Sequence, residues 1–201
     1  MRMPIFIDNC AWDYFFEAGI NLSIELPSAK YQIFVTPGNS YEIDQIPDMG
    51  KDGQSKEELK FYIQKSLQEN NVQVAGFFGF AEIGPDGKPL AYQSVLGFNQ
   101  GTFAGSEDTE ELQWLDAAEV KHFVGKMKAT GVRKNASDAA LAAKSFKCLV
   151  LTNESADKSG PLRLAASQGG TVIFLTAQVD RSGLPLGEYL RRREFIITNF
   201  E

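Results

Sequence analysis

Residues 134–154 read KNASDAALAAKSFKCLVLTNE, and this stretch decides the fold class. Its first half is rich in alanine and predicts a helix over 138–145. Its second half predicts a strand over 148–152 that lacks polar alternation, as is typical of a strand buried on both faces. A second apolar strand is predicted over 171–175, after a further helix. Helices and strands that alternate in this way indicate βαβ units and a parallel sheet.

The first 70 residues show the same alternation. Apolar runs predict strands over 4–8 and 31–35, and helical segments follow each of them over 11–18 and 40–46. Residues 55–70 carry apolar side chains at helical spacing and predict an amphipathic helix. We therefore expect a three-layer α/β fold whose mainly parallel central sheet is flanked by helices.

Residues 72–105 differ in character from the rest of the chain. They are rich in glycine, phenylalanine and valine, and residues 84–87 have the composition of a tight turn. We interpret this segment as a β-hairpin insertion within a single domain over 1–201, and a further helix is predicted over 108–130. The phenylalanines of the insertion could stack on unpaired bases, or they could form the apolar face of a hairpin that packs on its own domain.

Composition excludes several classes of protein. The net charge of −6 argues against a general nucleic-acid coat protein. No run approaches about 18 uninterrupted apolar residues, so we expect no membrane span. The apolar stretch at the start is too short for a signal peptide, so we expect a cytoplasmic location. With two cysteines and one histidine, a structural zinc site is not expected. Cys10 and Cys148 are placed too far apart along neighbouring strands to form a disulfide.

Four acidic residues, far apart in sequence, lie where a strand should end or a helix should begin. They are Asp8, Glu42, Asp138 and Glu154. The carboxyl ends of parallel strands meet at one edge of a sheet, where ligands bind in open α/β folds. Carboxylates gathered there raise each other's pKa unless a cation offsets their charge. The pattern therefore predicts a Mg²⁺ or Mn²⁺ site suited to phosphodiester chemistry.

The order of these motifs resembles the PIN domain. Asp8 ends an apolar run, Glu42 follows a strand and a proline turn, and residues 138–143 read DAALAA where that family has D-A-x-[I/L]-A-A. A strand then ends in Thr152-Asn153-Glu154, where the family has Thr-x-Asp. The resemblance covers about residues 4–70 and 130–176, and it implies the three-layer fold and metal-dependent endoribonuclease activity, often as the toxin of a bacterial toxin–antitoxin pair.

The resemblance also implies roles for individual residues. Asp8, Glu42 and Asp138 correspond to metal-binding carboxylates, and Glu154 takes the fourth position with one methylene more than the usual aspartate. Asp157 is a potential substitute for that fourth ligand. Thr152 is expected to orient a carboxylate or a metal-bound water. RNA, an antitoxin protein and a second copy of the chain are the partners that such a protein would have.

Two further questions stay open at the level of sequence. Arg133 and Lys134, just before Asp138, could hold substrate phosphates or could be solvated loop residues. The chain could also be a catalytically inactive PIN-like module that binds RNA or protein, since Glu154 departs from the motif and the net charge is negative. A phosphatase of the haloacid-dehalogenase type is disfavoured, because Cys10 stands where that chemistry requires a second aspartate.

Overall fold

The computed structural model of the chain describes residues 2–75, 77–78, 95–96, 108–126 and 134–197. The strands in this part are β1 (Met3–Ile7), β2 (Tyr31–Val35), β3 (Gln73–Val74), β4 (Phe77–Phe78), β5 (Val95–Leu96), β6 (Leu149–Thr152) and β7 (Val172–Phe174). The helices are α1 (Asn9–Glu17), α2 (Leu22–Glu25), α3 (Pro37–Asp44), α4 (Glu57–Glu69), α5 (Asp108–Asp116), α6 (Ala118–Phe123), α7 (Ala136–Lys144), α8 (Pro161–Ser167) and α9 (Leu186–Ile197), with a π-helix over Leu175–Asp180.

Five strands form one parallel sheet in the order β3-β2-β1-β6-β7. Ile5 at the centre of β1 lies between Ile33 of β2 and Leu149 of β6. The chain builds outward from β1 through β2 to β3, and then returns to add β6 and β7 on the other side of β1. The strand order therefore reverses between β1 and β6, and at such a switch point the carboxyl ends of the strands open a crevice.

Alternate residues of each central strand pack on opposite faces of the sheet. Ile5 and Ile7 of β1 join an apolar cluster with side chains of α1, α2, α4 and α9. Phe6 points to the other face, where it joins a second cluster with Leu141 of α7 and Leu162 of α8. Both clusters are buried, and burial of such a side chain stabilises the fold by about 1.5–3 kcal/mol. The predicted three-layer α/β arrangement is confirmed.

Local sequence explains where the site-bearing helices begin. Asp8 is the N-cap of α1, since its side chain accepts a hydrogen bond from the backbone N–H of Asn9. Thr36 caps α3, and Pro37 occupies the first turn. Because proline has its φ angle already set for a helix, α3 begins three residues before the predicted start at residue 40.

Among the helices in the described ranges, none combines the length and apolar character needed to cross a membrane.

The segment predicted as a hairpin is arranged differently where the structure describes it. β3 pairs in parallel with β2, so residues 73–74 belong to the central sheet and not to an insertion. β4 and β5 pair with each other in parallel, whereas the two strands of a hairpin pair antiparallel. Two parallel strands need a long connection, which a tight turn cannot provide. The predicted turn at 84–87 lies outside the described residues. The predicted helix over 108–130 is divided into α5 and α6.

Candidate functional site

Asp8 lies at the end of β1, at the switch point of the sheet, and is only 4% exposed. Its Oδ1 atom accepts hydrogen bonds from the backbone N–H of Asn9 at 2.7 Å and from Asn39 Nδ2 at 3.3 Å. Its Oδ2 atom accepts from the Thr152 hydroxyl at 2.7 Å and from the Cys10 thiol at 3.0 Å. A carboxylate offers about four lone-pair sites, so these four neutral donors saturate Asp8.

Burial raises the pKa of Asp8, because the charged form is poorly solvated there. The hydrogen bonds from Cys10, Thr152 and Asn9 act against this shift, and the negative charge of Glu154 adds to it. Burial also raises the pKa of the Cys10 thiol, and the neighbouring Asp8 charge raises it further. Cys10 is therefore held as a neutral thiol, which donates to Asp8.

Glu42 extends from the last turn of α3 toward the same edge of the sheet. Its Oε2 atom accepts a hydrogen bond from Asn9 Nδ2 at 2.7 Å. Because Asn9 directly follows Asp8, this bond ties the first and second acidic residues together. The start of α3 is held by a hydrogen bond from the Thr36 hydroxyl to Asn39 Oδ1, and the same Asn39 donates to Asp8. One buried asparagine thus couples the cap of α3 to the carboxylate at the end of β1.

Asp138 lies in the first turn of α7 and is half-buried. Its pKa is raised to about 7, first by burial and then by the charges of Asp8, Glu154 and Glu42. The positive charge of Lys158 acts in the opposite direction. The charges of carboxylates from three other segments therefore act on Asp138 at this edge of the sheet.

Glu154 follows β6 and carries its own counter-ion. Its backbone N–H donates to the Thr152 hydroxyl oxygen at 3.1 Å, and its carboxylate forms an ion pair with Lys158. The hydrogen bond to Glu154 raises the pKa of Lys158, so that ammonium group stays charged. Asp157 is exposed, and the charges that raise the pKa of Asp138 come from Asp8, Glu154 and Glu42. Of these two acids, Glu154 is the one whose charge acts on Asp138.

The two basic residues predicted to hold phosphates are not brought together with this group. Arg133 lies outside the described residues. Lys134 is exposed, and its backbone forms hydrogen bonds with Gly125 and Lys126, in the segment after α6. Within the described ranges, the acidic group is contacted by Lys158, which was not among the residues predicted to lie at the site.

The carboxylates share an edge without forming a ready-made metal site. Within the described ranges, no three side chains of histidine, cysteine, aspartate or glutamate are arranged so that they could hold a metal ion. Three of the four acids are instead engaged by protein donors: Asp8 by four of them, Glu42 by Asn9, and Glu154 by Lys158. The donor set is nevertheless all oxygen, which Mg²⁺ and Mn²⁺ prefer, and its mutual repulsion is what a bound cation would relieve.

Sequence reasoning missed three residues of this group. Asn9 and Asn39 are ordinary polar residues near a helix start, and nothing in their local pattern indicates that both donate to carboxylates. Lys158 follows Glu154 by four residues, a spacing that is common among surface ion pairs. A search for polar residues next to each predicted acid would have found Asn9, whereas Asn39 is recognised only once β1 and α3 are neighbours.

Comparison of the chain with protein-family models, with curated proteins and with solved structures gives no match. The resemblance to the PIN domain therefore stays a prediction that rests on four sequence motifs.

Proposed function

We propose that this chain is a metal-dependent endoribonuclease of the PIN type, and that Asp8, Glu42, Asp138 and Glu154 hold Mg²⁺ or Mn²⁺. One observation carries the proposal: the charges of three carboxylates, from three other segments, all raise the pKa of Asp138. Structural carboxylates are usually placed beside cations, because like charges at close range cost free energy. A cluster that retains this repulsion is typical of a site that is completed by a divalent cation.

The surrounding polar residues would position the carboxylates. Asn39 and Thr152 hold the two oxygens of Asp8 from opposite sides, and Asn9 holds Glu42. Since Asp8 is saturated by donors, one of them must give way before Asp8 can act as a direct ligand. The Cys10 thiol is the weakest of the four donors, so it is the one we expect to turn aside.

The metal would supply activation of a water molecule and neutralisation of the leaving oxygen. Asp138 and Lys158 would both have to respond to the metal, Asp138 by losing a proton and Lys158 by moving away from Glu154. At neutral pH Asp138 carries a proton for part of the time, and it would release this proton to act as a ligand. Lys158 would leave Glu154 and remain near the site, where its ammonium group could contact a phosphate of the substrate.

The test is cleavage of a single-stranded RNA of mixed sequence by the purified protein, with Mn²⁺ and with EDTA. We expect cleavage only with Mn²⁺, its loss in Asp8→Asn with an unchanged circular dichroism spectrum, and its retention in the control Asp44→Asn. Asp44 is an exposed acid of the same type at the end of α3. Equal cleavage by Asp8→Asn and by the parent protein would refute the proposal.

The role of the nuclease in the cell is proposed from the resemblance alone. RNA is the substrate, the cytoplasm is the compartment, and the toxin assignment adds an antitoxin protein and a second copy of the chain as partners. Expression of the chain without an antitoxin should then arrest bacterial growth, and Asp8→Asn should relieve the arrest. Normal growth at a high level of active enzyme would contradict the toxin role but not the nuclease activity.

A second candidate is a PIN-like module that binds RNA or protein without catalysis. The ion pair between Lys158 and Glu154 favours it, because a protein cation then takes over part of the charge balance that a metal would provide. Titration calorimetry with Mn²⁺ separates the two candidates. Binding of Mn²⁺ that is lost in Asp8→Asn favours the nuclease, whereas no binding of Mn²⁺ together with retained binding of RNA favours the module.

A further inference from the structure

A cleft of about 240 Å³ lies beside the acidic site, between α1, α3 and α4. Its apolar walls are formed by Trp12, Ile43, Ile46, Leu59 and Ile63. Polar side chains line it as well, and two of them, Asn9 and Glu42, also belong to the acidic site. The cleft and the acidic site are therefore continuous. Its volume is below the ~300 Å³ of the smallest typical ligand pockets, so it suits a group of ring size rather than a whole nucleotide.

Two buried polar atoms of residues that line this cleft lack a hydrogen-bond partner among the described residues. They are the indole Nε1 of Trp12, a donor, and the amide Oδ1 of Asn9, an acceptor. Trp12 itself is only 1% exposed. Leaving such groups unpaired costs free energy, and most buried polar groups in proteins are paired. Both atoms are shielded from solvent, so a ring that carries an acceptor and a donor at its edge would pair with them only after Trp12 and Asn9 shift toward the cleft.

Lys56 supplies a positive charge to the lining of the cleft. Its nearest acid is Asp13, with Lys56 Nζ 3.9 Å from Asp13 Oδ1, which is the long limit for an ion pair. The Lys56 side chain is 37% exposed. Exposed pairs of this length contribute little, so the ammonium group can turn to a phosphate at small cost.

We propose that this cleft binds one unpaired base of a single-stranded RNA, next to the phosphate that the acidic site would cleave. The base ring would pack between the apolar side chains, its edge would face Trp12 and Asn9, and a flanking phosphate would meet Lys56. Bases present both donors and acceptors on one planar edge, and they bind proteins largely through stacking and such edge contacts. This inference rests on the proposed function, because it assigns the substrate's base to that site.

Trp12 makes the proposal measurable by fluorescence. The chain has two tryptophans, and Trp114 is held apart in α5 by a hydrogen bond to Gln168 Oε1 at 2.7 Å. In Trp114→Phe the emission reports on the cleft alone. The probe is a single-stranded RNA of about ten nucleotides, a common site size, titrated in EDTA so that no metal-dependent cleavage occurs. The reference is an abasic ribose-phosphate chain of the same length. We expect RNA to change the Trp12 emission, and the abasic chain to bind about tenfold more weakly without that change.

Substitutions then locate the base. Ile46→Phe fills the cleft from its half-buried wall, and its matched control Ile24→Phe places the same group on α2, where Ile24 is 72% exposed. We expect Ile46→Phe to weaken RNA binding about tenfold and Ile24→Phe to leave it unchanged. Lys56→Glu, an exposed change that needs no repacking, should weaken binding of RNA and of the abasic chain alike. Parent-like RNA affinity in Ile46→Phe and Lys56→Glu, or equal binding of RNA and abasic chain, would overturn the inference.

Cleavage with Mn²⁺, measured separately, keeps this inference distinct from the nuclease proposal. Base-dependent binding in EDTA by a protein that never cleaves RNA would support the base site and refute only the nuclease. Metal-dependent cleavage that is indifferent to Ile46→Phe, with no response of Trp12, would overturn the base site and leave the nuclease standing.

Discussion

Two acidic side chains are buried almost equally in this protein, and their surroundings are opposite. Asp8 is 4% exposed and Glu111 is 3% exposed. Glu111 of α5 forms an ion pair with Lys144 Nζ at 2.7 Å, so its charge is balanced within the fold. Asp8 is surrounded by neutral donors, and its pKa is raised further by the charge of another acid, Glu154.

The same helix contributes to both places. α7 carries Lys144 in its last turn, where the helix dipole favours a cation, and Asp138 in its first turn, where the dipole favours an anion. Lys144 completes a structural ion pair, whereas Asp138 adds a further negative charge to the acidic site. Burial of an acid alone therefore says little about its function. A buried acid that the fold leaves without a balancing cation is the one to examine as a site.

The largest expected difference between these two acids is in catalysis. Asp8→Asn should reduce metal-dependent RNA cleavage about a thousandfold, because a lost metal ligand removes several kcal/mol of transition-state stabilisation. Glu111→Gln should change cleavage by less than about threefold at a temperature where it is folded, since Glu111 pairs with Lys144 away from the acidic site. Single-turnover cleavage with Mn²⁺ measures the rate of each variant. Similar losses of rate in the two variants would contradict the distinction between a site acid and a structural acid.

For the free energy of unfolding we expect the larger effect in Glu111→Gln and the smaller effect in Asp8→Asn. Glu111→Gln removes the charge that balances Lys144, whose side chain is 15% exposed, and should lower the free energy of unfolding by about 2 kcal/mol. Asp8→Asn removes a buried, repelled charge and keeps a residue that caps helices well, so it should change that free energy by less than about 1 kcal/mol. Urea unfolding at pH 7 in EDTA compares them. A larger loss in Asp8→Asn would mean that Asp8 is a structural acid.

A further prediction concerns Asp138 and the way in which the free energy of unfolding depends on pH. The folded-state pKa of Asp138 is about 7 and its ordinary value is 3.8, so between these values the folded state keeps a proton that the unfolded state has lost. The stability that this proton contributes is therefore present at low pH and is lost as the pH rises toward 7. Asp138→Asn should remove this dependence and be more stable than the parent by on the order of 2 kcal/mol at pH 8, but not at pH 4.

Urea unfolding at pH 4, 6 and 8 in EDTA tests that expectation. Asp44→Asn is the matched control, because Asp44 is an exposed acid at the end of α3, near Glu42 in sequence. Parallel pH profiles for Asp138→Asn and the parent would mean that Asp138 does not titrate in this range. Addition of Mn²⁺ to the parent should flatten its profile, since a bound cation offsets the same repulsion.

The smallest expected effect concerns Lys158, a cation of the described ranges that contacts the acidic site. Lys158→Met removes the ammonium group from Glu154 and should tighten Mn²⁺ binding about threefold, as expected for a partly exposed ion pair that competes with the metal. Lys51→Met, at an exposed lysine in the loop before α4, serves as the control. Titration calorimetry gives both affinities. Weaker Mn²⁺ binding in Lys158→Met would show that Lys158 supports the metal site instead of competing with it.

Much of the fold could be predicted from local pattern. The predicted strand over 31–35 coincides with β2, and the apolar run over 148–152 differs from β6 by one residue. Such runs are informative because strands at the centre of a parallel sheet are apolar on both faces. The parallel pairing of β4 with β5 was not predictable, because two-residue strands carry too little pattern to reveal their partner. The π-helix over Leu175–Asp180 likewise has no simple sequence signal.

The candidate site, like the fold, could be predicted from the sequence only in part. The sequence by itself determined the fold class and the placement of Asp8, Glu42, Asp138 and Glu154 at strand ends or in the helices between strands, because hydrophobic periodicity and helix starts are local properties. Only the tertiary structure decided which neighbours each acid has. Glu111 meets Lys144 and Asp8 meets Thr152 across long separations in sequence. Whether a buried charge is balanced depends on side chains that only folding brings together, and that balance is what separates the structural acid from the candidate site.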